Sequence, residues 1–333
     1  MGLSAIHFLP VSVFLVICSH QLVAAQEMPA EYQQVLHELG RQGDFRDRVL
    51  KVSIPRSDLQ VTVKGIATPT PFGYAGWVAM TSSDGGAEVM MGDLVLLEDE
   101  VNRVMSALLD NGLEVTALHN HFFWEQPRIF YMHVHGRGAA LDLARRLKPA
   151  LRLIGKSAQL SAPATPPGKP PAEKAQASLD AEKLAGIIGH KGEGIGPVYK
   201  ITIGRGDFEM KEHGAIINAR MGLNTWAAFV GTNEQAIVAG DVAMLEHEVT
   251  PVLKALRNHG LEIVAIHHHM TETLPVVIFL HYWGSGPAEK LAGGFRAALD
   301  QLGKAPTRGN PDGQQSHHGL SVGIFWQERG HTN

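Results

Sequence analysis

Hydrophobic positions along the chain follow two periods, and the periods change in the same order twice. Apolar and polar residues alternate, as in half-buried strands, over residues 49–54, 60–63, 77–80 and 88–91. A helical spacing of three and four residues then follows at Val101, Val104, Met105, Leu108 and Leu109. This pattern predicts an amphipathic helix that ends at Asn111 and Gly112, followed by two strands and a second helix.

The second half of the chain repeats this order and much of the sequence. "LEVTALHNH" at residues 113–121 returns as "LEIVAIHHH" at residues 261–269, and "GDLVLLEDEV" from Gly92 returns as "GDVAMLEHEV" from Gly240. The helical spacing returns at Val249, Val252, Leu253 and Leu256. Such self-similarity at a fixed offset indicates two copies of one structural unit.

The order strand–helix–strand–strand–helix predicts the fold class. We expect an α+β protein of two tandem pseudo-symmetric repeats, each a split βαβ (ferredoxin-like) unit with extra N-terminal strands. Repeat 1 should span residues 30–154 and repeat 2 residues 179–303, joined by a Pro/Ala-rich linker at 155–178. Residues 304–333 form a C-terminal loop in which 319–327 is a candidate closing strand.

The N-terminus predicts export. An apolar run at residues 8–18 is followed by "VAAQ" at 23–26, which is typical of a signal peptide (residues 1–25) cleaved near Ala25. The alternative is a buried N-terminal segment. Ile17 is bulky where a lipid-anchoring signal has a small residue before Cys18, so we expect a secreted or periplasmic protein without a transmembrane helix in its mature chain.

Charge and cysteine content limit the ligands that the chain can bind and the residues that can bind a metal. The formal net charge of −4 offers no electrostatic basis for binding nucleic acid, and Cys18 is the only cysteine. The mature chain therefore has no thiol, and any metal site must use His, Asp, Glu or Met. The chain has 18 histidines, of which some lie at conspicuous places in the repeat.

Three histidines recur at the same offset in both copies. His119, His121 and His133 correspond to His267, His269 and His281. Residues two apart on a strand point the same way, and we expect His119 to lie opposite His133 and His121 opposite Tyr131. Three imidazoles on one face could bind one divalent transition metal ion, with Zn or Cu favoured by the all-nitrogen ligand set.

The opposite face of the same strands is bulky and should lie under the helices: Leu118, Phe130, Met132 and Val134 in repeat 1, and Ile266, Ile278, Leu280 and Tyr282 in repeat 2. The histidine face carries Ala117 and Ala265, which leave room beside the rings. It should be open, to host a ligand or to pack against the other repeat. The alternatives to a metal site are a hydrogen-bonded histidine cluster and a metal-free acid–base site.

Acidic and basic residues near the histidines have both functional and structural interpretations. Glu125 and Glu272 are candidates for a general base or a fourth ligand, although either could be an ordinary turn residue. We expect Asp93 and Asp241, with the glutamates after them, to offset the positive end of the following helix, with a catalytic role as the alternative. Four basic residues of the early strands should lie on a solvated edge, with binding of an anion as the alternative: Lys51, Arg56, Lys200 and Arg205.

The combination of GD-x(3)-L-E-x-E, HxH and FxxHxxGxG resembles the bacterial LppY/LpqO family, and the resemblance covers nearly all of the mature chain as two copies. The resemblance implies an exported protein and a domain with no established reaction.

Three hypotheses for the function follow from these residues. The first is an exported protein that binds Zn or Cu through the histidine cluster of each repeat. The second is a metal-dependent enzyme, a hydrolase or an oxidoreductase, in which an open coordination position activates water or oxygen. The third is a non-catalytic envelope interaction module. The expected partner is a metal ion or a small molecule.

Overall fold

The first repeat follows the predicted order from the strand Val49–Pro55 onward, and the helix Ala30–Leu39 that precedes the strands was not predicted. The computed structural model describes residues 27–155, 179–271 and 273–305. Repeat 1 contains helices α1 (Ala30–Leu39), α2 (Glu98–Asp110) and α3 (Ala140–Leu151), and strands β1 (Gly43–Arg46), β2 (Val49–Pro55), β3 (Val61–Val63), β4 (Ile66–Thr68), β5 (Ala75–Ser82), β6 (Glu88–Leu97), β7 (Glu114–His119), β8 (Glu125–Gln126) and β9 (Ile129–Gly138).

The second repeat reproduces this series with small differences. It contains helices α4 (Ala181–Ile188), α5 (Val249–Asn258) and α6 (Ala288–Leu299), and strands β10 (Glu193–Ile195), β11 (Val198–Gly204), β12 (Met210–Glu212), β13 (Ala215–Ile217), β14 (Asn224–Gly231), β15 (Ala236–Leu245), β16 (Glu262–His267) and β17 (Val277–Gly286). The expected signal peptide, nearly all of the expected linker and the candidate closing strand lie outside the described residues.

Each repeat builds a six-stranded sheet, in the order β1-β2-β5-β6-β9-β7 and β10-β11-β14-β15-β17-β16. In the first sheet β9 is antiparallel to both neighbours, β6 and β7, and α2 connects those neighbours. This is the split βαβ arrangement, preceded by extra strands, and the predicted α+β class with two repeats is confirmed.

The start of α2 shows how local sequence fixes an element. Three acidic residues occupy the first helical turn, where they offset the positive helix end, and the Glu100 side chain accepts a hydrogen bond from the Leu97 backbone at 2.8 Å. Gly112, with a φ of 71°, follows the helix and lets the chain turn into β7. The helix and its end therefore agree with the sequence prediction.

Each sheet is covered by helices on one face. Met132 and Val134 belong to a core formed with α1, α2 and α3, and Leu280 and Tyr282 belong to the corresponding core of repeat 2. The prediction fails at Leu118, which is 42% exposed, and at Ile266, which is 50% exposed. Both residues lie on the strand at the edge of a sheet, one residue before that strand ends.

The other face of each sheet packs against the other repeat. One shared core joins Phe122 and Tyr131 of repeat 1 to Val198 and Trp283 of repeat 2, and a second core also draws on both repeats. The face that carries the histidines is therefore closed by the second copy of the fold. Of the two possibilities for this face, packing against the other repeat is the one observed.

Two of the four basic residues assigned to a solvated edge are instead buried in ion pairs. Arg56, only 2% exposed, donates to Glu100 at 2.7 Å, and Arg205 donates to Glu248 at 2.8 Å. These pairs tie an early strand to the start of the following helix in each repeat. The expectation of solvated arginines was wrong, because the segment after each strand folds back over the helix start.

Within the described ranges, none of the helices has both the length and the apolar character that a membrane span requires.

Candidate metal centre

The six repeated histidines occupy three kinds of position. His119 and His267 end the strands β7 and β16, while His133 and His281 lie in the middle of β9 and β17. His121 and His269 lie two residues beyond the ends of β7 and β16, in the loops that follow. The backbone oxygen of His269 accepts hydrogen bonds from the Thr116 hydroxyl at 2.6 Å and contacts the His135 ring nitrogen at 2.9 Å. Repeat 1 thus holds the histidine loop of repeat 2 in place.

The pairing register differs from the predicted one by two residues. His119 lies opposite Tyr131, and His133 lies opposite Ala117, with an irregularity between Val115 and Ala117. The prediction was wrong because it assumed a tight turn, whereas the connection contains β8, which pairs with β3. Since the shift is even, the histidines stay on the predicted face.

The histidines of one repeat contact those of the other. The Nε2 atoms of His119 and His281 are 3.0 Å apart. The ring centroids of His119 and His267 are 3.7 Å apart, those of His121 and His281 are 3.7 Å apart, and those of His133 and His269 are 4.1 Å apart. These pairs exchange when the repeats are exchanged, so the cluster has a pseudo-two-fold axis between His119 and His267.

Three sets of residues could each hold a metal ion, because the potential ligand atoms within a set lie within 4.8 Å of one another. Two sets combine residues of both repeats: His119 with His267 and His281, and His133 with His267 and His269. The third set belongs to repeat 2 alone and consists of Asp241, His269 and His281. Each pair of sets shares one histidine. Buried groups that could hold a metal ion are therefore present, but they form one connected cluster instead of the separate cluster expected in each repeat.

Asp93 and Asp241 belong to this cluster, which the sequence interpretation missed. They lie inside β6 and β15, directly opposite His133 and His281, and not at a helix start. The carboxylate of Asp93 is 4.0 Å from His121 Nε2, and that of Asp241 is 3.5 Å from His269 Nε2. The available signal was the repetition of a Gly-Asp pair in the middle of an otherwise apolar strand.

Burial keeps the imidazoles neutral. It lowers the pKa of His119 to about 3 and that of His267 to about 2, and in His267 the neighbouring His119 adds to the effect. Burial, followed by repulsion from the other histidines, lowers the pKa of the remaining four cluster histidines well below 6.5. Neutral imidazole is the form that binds a metal ion.

Burial shifts the pKa values of the two aspartates in the opposite direction, upward. Burial raises the pKa of Asp93 to about 8, and it raises the pKa of Asp241 well above 3.8, with Asp93 adding to that shift. A cation bound beside them would favour their ionised form.

Many polar atoms of the cluster are buried without a hydrogen-bond partner among the described residues. Both ring nitrogens of His121, His267 and His269 are in this state, as are His119 Nδ1 and His133 Nε2. By contrast, His135 lies next to the cluster and contacts Glu212 and the His269 backbone oxygen, both at 2.9 Å. Because buried polar groups are normally satisfied, this donor set fits a metal ion better than a self-contained hydrogen-bonded cluster.

The two glutamates proposed as bases or ligands are placed differently. Glu125 is buried in β8, where its Oε1 accepts a hydrogen bond from the Ile129 backbone at 3.3 Å, and it is in none of the three ligand sets. Burial raises its pKa. Glu272 lies outside the described residues.

A cavity of about 390 Å³ reaches the cluster from the outside. His121 and His269 contribute to its wall, together with pairs of equivalent residues from both repeats: Lys51 and Lys200, Trp77 and Trp226, and Asp93 and Asp241. The same opening therefore exposes part of the histidine cluster and two lysines to a small molecule.

Comparison with known proteins yields a family but no activity. A family model described as Domain of Unknown Function (DUF1259) matches residues 33–153 and again residues 182–301. No curated protein is significantly similar to the chain in sequence.

Among solved structures, a double-ringed trimeric shell protein from the RMM microcompartment is 12% identical, with a TM-score of 0.16 over 65% of this chain and 81% of that one. The trimeric bacterial microcompartment shell protein PduB is also 12% identical, with a TM-score of 0.19 over 79% of this chain and 94% of that one. Similarity at this level supports no argument about structure or function.

Proposed function

The chain belongs to the family described as Domain of Unknown Function (DUF1259), of which it contains two copies, and from this premise we propose that it binds a transition metal ion in one centre shared by both repeats. Zn²⁺ and Cu²⁺ are the favoured ions because the ligand set is dominated by imidazole nitrogen. The observation that carries the proposal is the convergence of six neutral histidines across the interface of the repeats. Four of them are buried and two are half-buried, and most have unpartnered nitrogens.

The closest approach supports a shared ion. His119 Nε2 and His281 Nε2 come from different repeats and lie 3.0 Å apart. Two ligands on a tetrahedral ion with Zn–N bonds of ~2.0–2.1 Å are separated by roughly 3.3 Å. The two nitrogens are therefore already near the spacing that one ion requires, and His267 is the third member of that set.

Metal-dependent catalysis is a second candidate function, and the cavity favours it. A site that only stores or carries an ion needs no adjoining chamber, whereas this cavity brings Asp93, Asp241 and two lysines to the wall that His121 and His269 share.

The protein is also proposed to be exported. The apolar run and the small residues before the expected cleavage at Ala25 support a secreted or periplasmic protein. Resemblance to the LppY/LpqO family supports the same compartment. Fractionation of the native host, with an antibody against the chain, tests this part independently of the metal.

The decisive experiment counts ions per chain. Protein without an affinity tag is stripped with EDTA, dialysed against Zn²⁺ or Cu²⁺, and analysed for metal. A shared centre should bind about one ion per chain. His119→Ala and His267→Ala should each weaken binding, and His267→Ala more strongly, because His119 belongs to one of the three ligand sets and His267 to two. His37→Ala, on the exposed face of α1, is the matched control and should bind like the wild type.

Two outcomes contradict the proposal. Less than roughly 0.2 ion per chain would mean that the nitrogens are not ligands under conditions where a His site should fill. Two ions in the wild type, with one retained in each alanine variant, would mean that the repeats bind metal independently.

A further inference from the structure

The cavity beside the cluster has two basic side chains that the metal proposal does not use. Lys51 extends from β2 and Lys200 from the equivalent β11, so the pair follows the same pseudo-symmetry as the histidines. The Lys51 ammonium lies 4.2 Å from the ring centroid of Trp77, and the Lys200 ammonium lies 4.4 Å from that of Trp226. Each lysine is thereby held on a wall of the cavity by a cation–π contact.

Neither ammonium group forms a hydrogen bond or an ion pair with another described residue. This separates them from Arg56 and Arg205, which are neutralised by buried glutamates. A partly buried ammonium without a counter-ion costs free energy, and the cost falls when an anion enters. The N–H groups of the two lysines are therefore free to donate hydrogen bonds to a ligand, whereas those of the two arginines already donate to carboxylates.

The cavity lining carries acidic as well as basic groups. Asp93 and Asp241 face the histidines, at 4.0 Å from His121 and 3.5 Å from His269. Glu193 contributes an exposed carboxylate to the lining. The lining also includes neutral groups that can donate hydrogen bonds, from Ser53, Thr202 and Asn224.

We propose that the cavity binds a small oxyanion, a carboxylate or phosphate group, between Lys51 and Lys200. The cavity volume of about 390 Å³ fits a metabolite-sized ligand and not a polymer, since small-molecule sites span ~300–1,000 Å³. The position of this anion next to a metal ion rests on the proposed function, but its binding to the lysines does not require the metal.

The test is a titration of the metal-free protein, in chloride buffer at pH 7, followed by calorimetry and by tryptophan fluorescence. Inorganic phosphate is the probe in one arm and succinate in the other, so that the two sources of oxyanion are distinguished. We expect saturable binding of at least one probe and a fluorescence change, because Trp77 and Trp226 line the cavity.

Charge-removing variants assign the binding to the lysines. Lys51→Gln/Lys200→Gln should weaken binding at least tenfold, because charge-assisted hydrogen bonds are lost at both walls. Lys254→Gln/Lys290→Gln removes the same charge from exposed positions on α5 and α6 and should bind like the wild type. The single variants Lys51→Gln and Lys200→Gln should each weaken binding severalfold and provide a second measurement if the double variant folds poorly.

Failure of this inference can be told apart from failure of the metal proposal. Absence of saturable binding of both anions by the wild type, or equal loss in the two double variants, would overturn the oxyanion site whatever the metal analysis shows. Lysine-dependent anion binding by a protein that takes up neither Zn²⁺ nor Cu²⁺ would support this site and contradict only the metal centre.

Discussion

Replacing His267 with leucine should stabilise the metal-free protein while weakening its stabilisation by metal. Both ring nitrogens of His267 are buried without a partner among the described residues, and a buried unsatisfied polar group costs about 1–3 kcal/mol. Leucine has a similar volume and no polar atom. Loss of the ring stacking between His267 and His119, at a centroid distance of 3.7 Å, should reduce this gain in stability by about 0.5–1.5 kcal/mol. The net expectation is a gain of about 1 kcal/mol, or about 2–4 °C in Tm.

The assay is urea unfolding followed by circular dichroism, with EDTA and then with Zn²⁺ in excess. At a free concentration of 100 times the Kd, the wild type should gain about 2.7 kcal/mol. His267→Leu should gain much less, because only the set of Asp241, His269 and His281 remains complete. The variant should therefore be the more stable protein in EDTA and the less stable one in Zn²⁺.

His135→Leu is the matched control for the same substitution at a satisfied histidine. His135 is buried, and its ring nitrogens contact Glu212 and the His269 backbone oxygen, both at 2.9 Å. Its loss leaves the Glu212 carboxylate buried without that partner, which should cost about 3 kcal/mol. A similar loss of stability in His267→Leu would refute the reasoning, because it would show that His267 supports the fold and is not held ready for a ligand.

Other regions of the molecule give three further predictions. The six cluster histidines have folded pKa values below the unfolded value, so the unfolded chain binds more protons and the metal-free protein should lose stability as pH falls through 6.5. The raised pKa values of Asp93 and Asp241 act in the opposite direction, but they are two groups against six. An unfolding midpoint in urea at pH 5.5 equal to that at pH 7.5 would contradict the expectation. Glu248→Gln removes one of the two carboxylates that pair with Arg205, while Asp207 remains, and should lower the free energy of unfolding by about 1.5–3 kcal/mol, measured in urea. A loss below about 1 kcal/mol would show that the pair is not effectively buried. Gly240→Ala places a Cβ against a backbone oxygen and a tyrosine hydroxyl and should cost about 1–3 kcal/mol in the same assay. Gly293→Ala lies in a helix with open space around it and should stabilise the protein by about 0.5–1 kcal/mol. Equal effects of the two substitutions would contradict the packing described.

Several features of the molecule were fixed by local sequence. The spacing of Val101, Val104 and Leu108 predicted α2, and all three residues are buried. The alternation around His119 and His133 placed their side chains on one face of the sheet. These features follow from the periods of helices and strands, which are the same in every fold and can be counted along a chain.

Other features depended on how the two sheets meet. The contact between His119 and His281, the inclusion of Asp93 in the cluster and the burial of Arg56 all involve residues far apart in sequence. The register error at His133 arose because a strand in the loop, and not a tight turn, sets the pairing of β7 and β9.

The sequence by itself determined that the fold occurs twice, where its helices end and which face carries the histidines. Only the tertiary structure decided that the two histidine faces meet, that their rings form one cluster and that a pair of lysines shares its cavity. The physical reason is that periodicity encodes the direction of a side chain relative to its own strand, whereas its neighbours across an interface depend on the packing of whole sheets, which no local pattern contains.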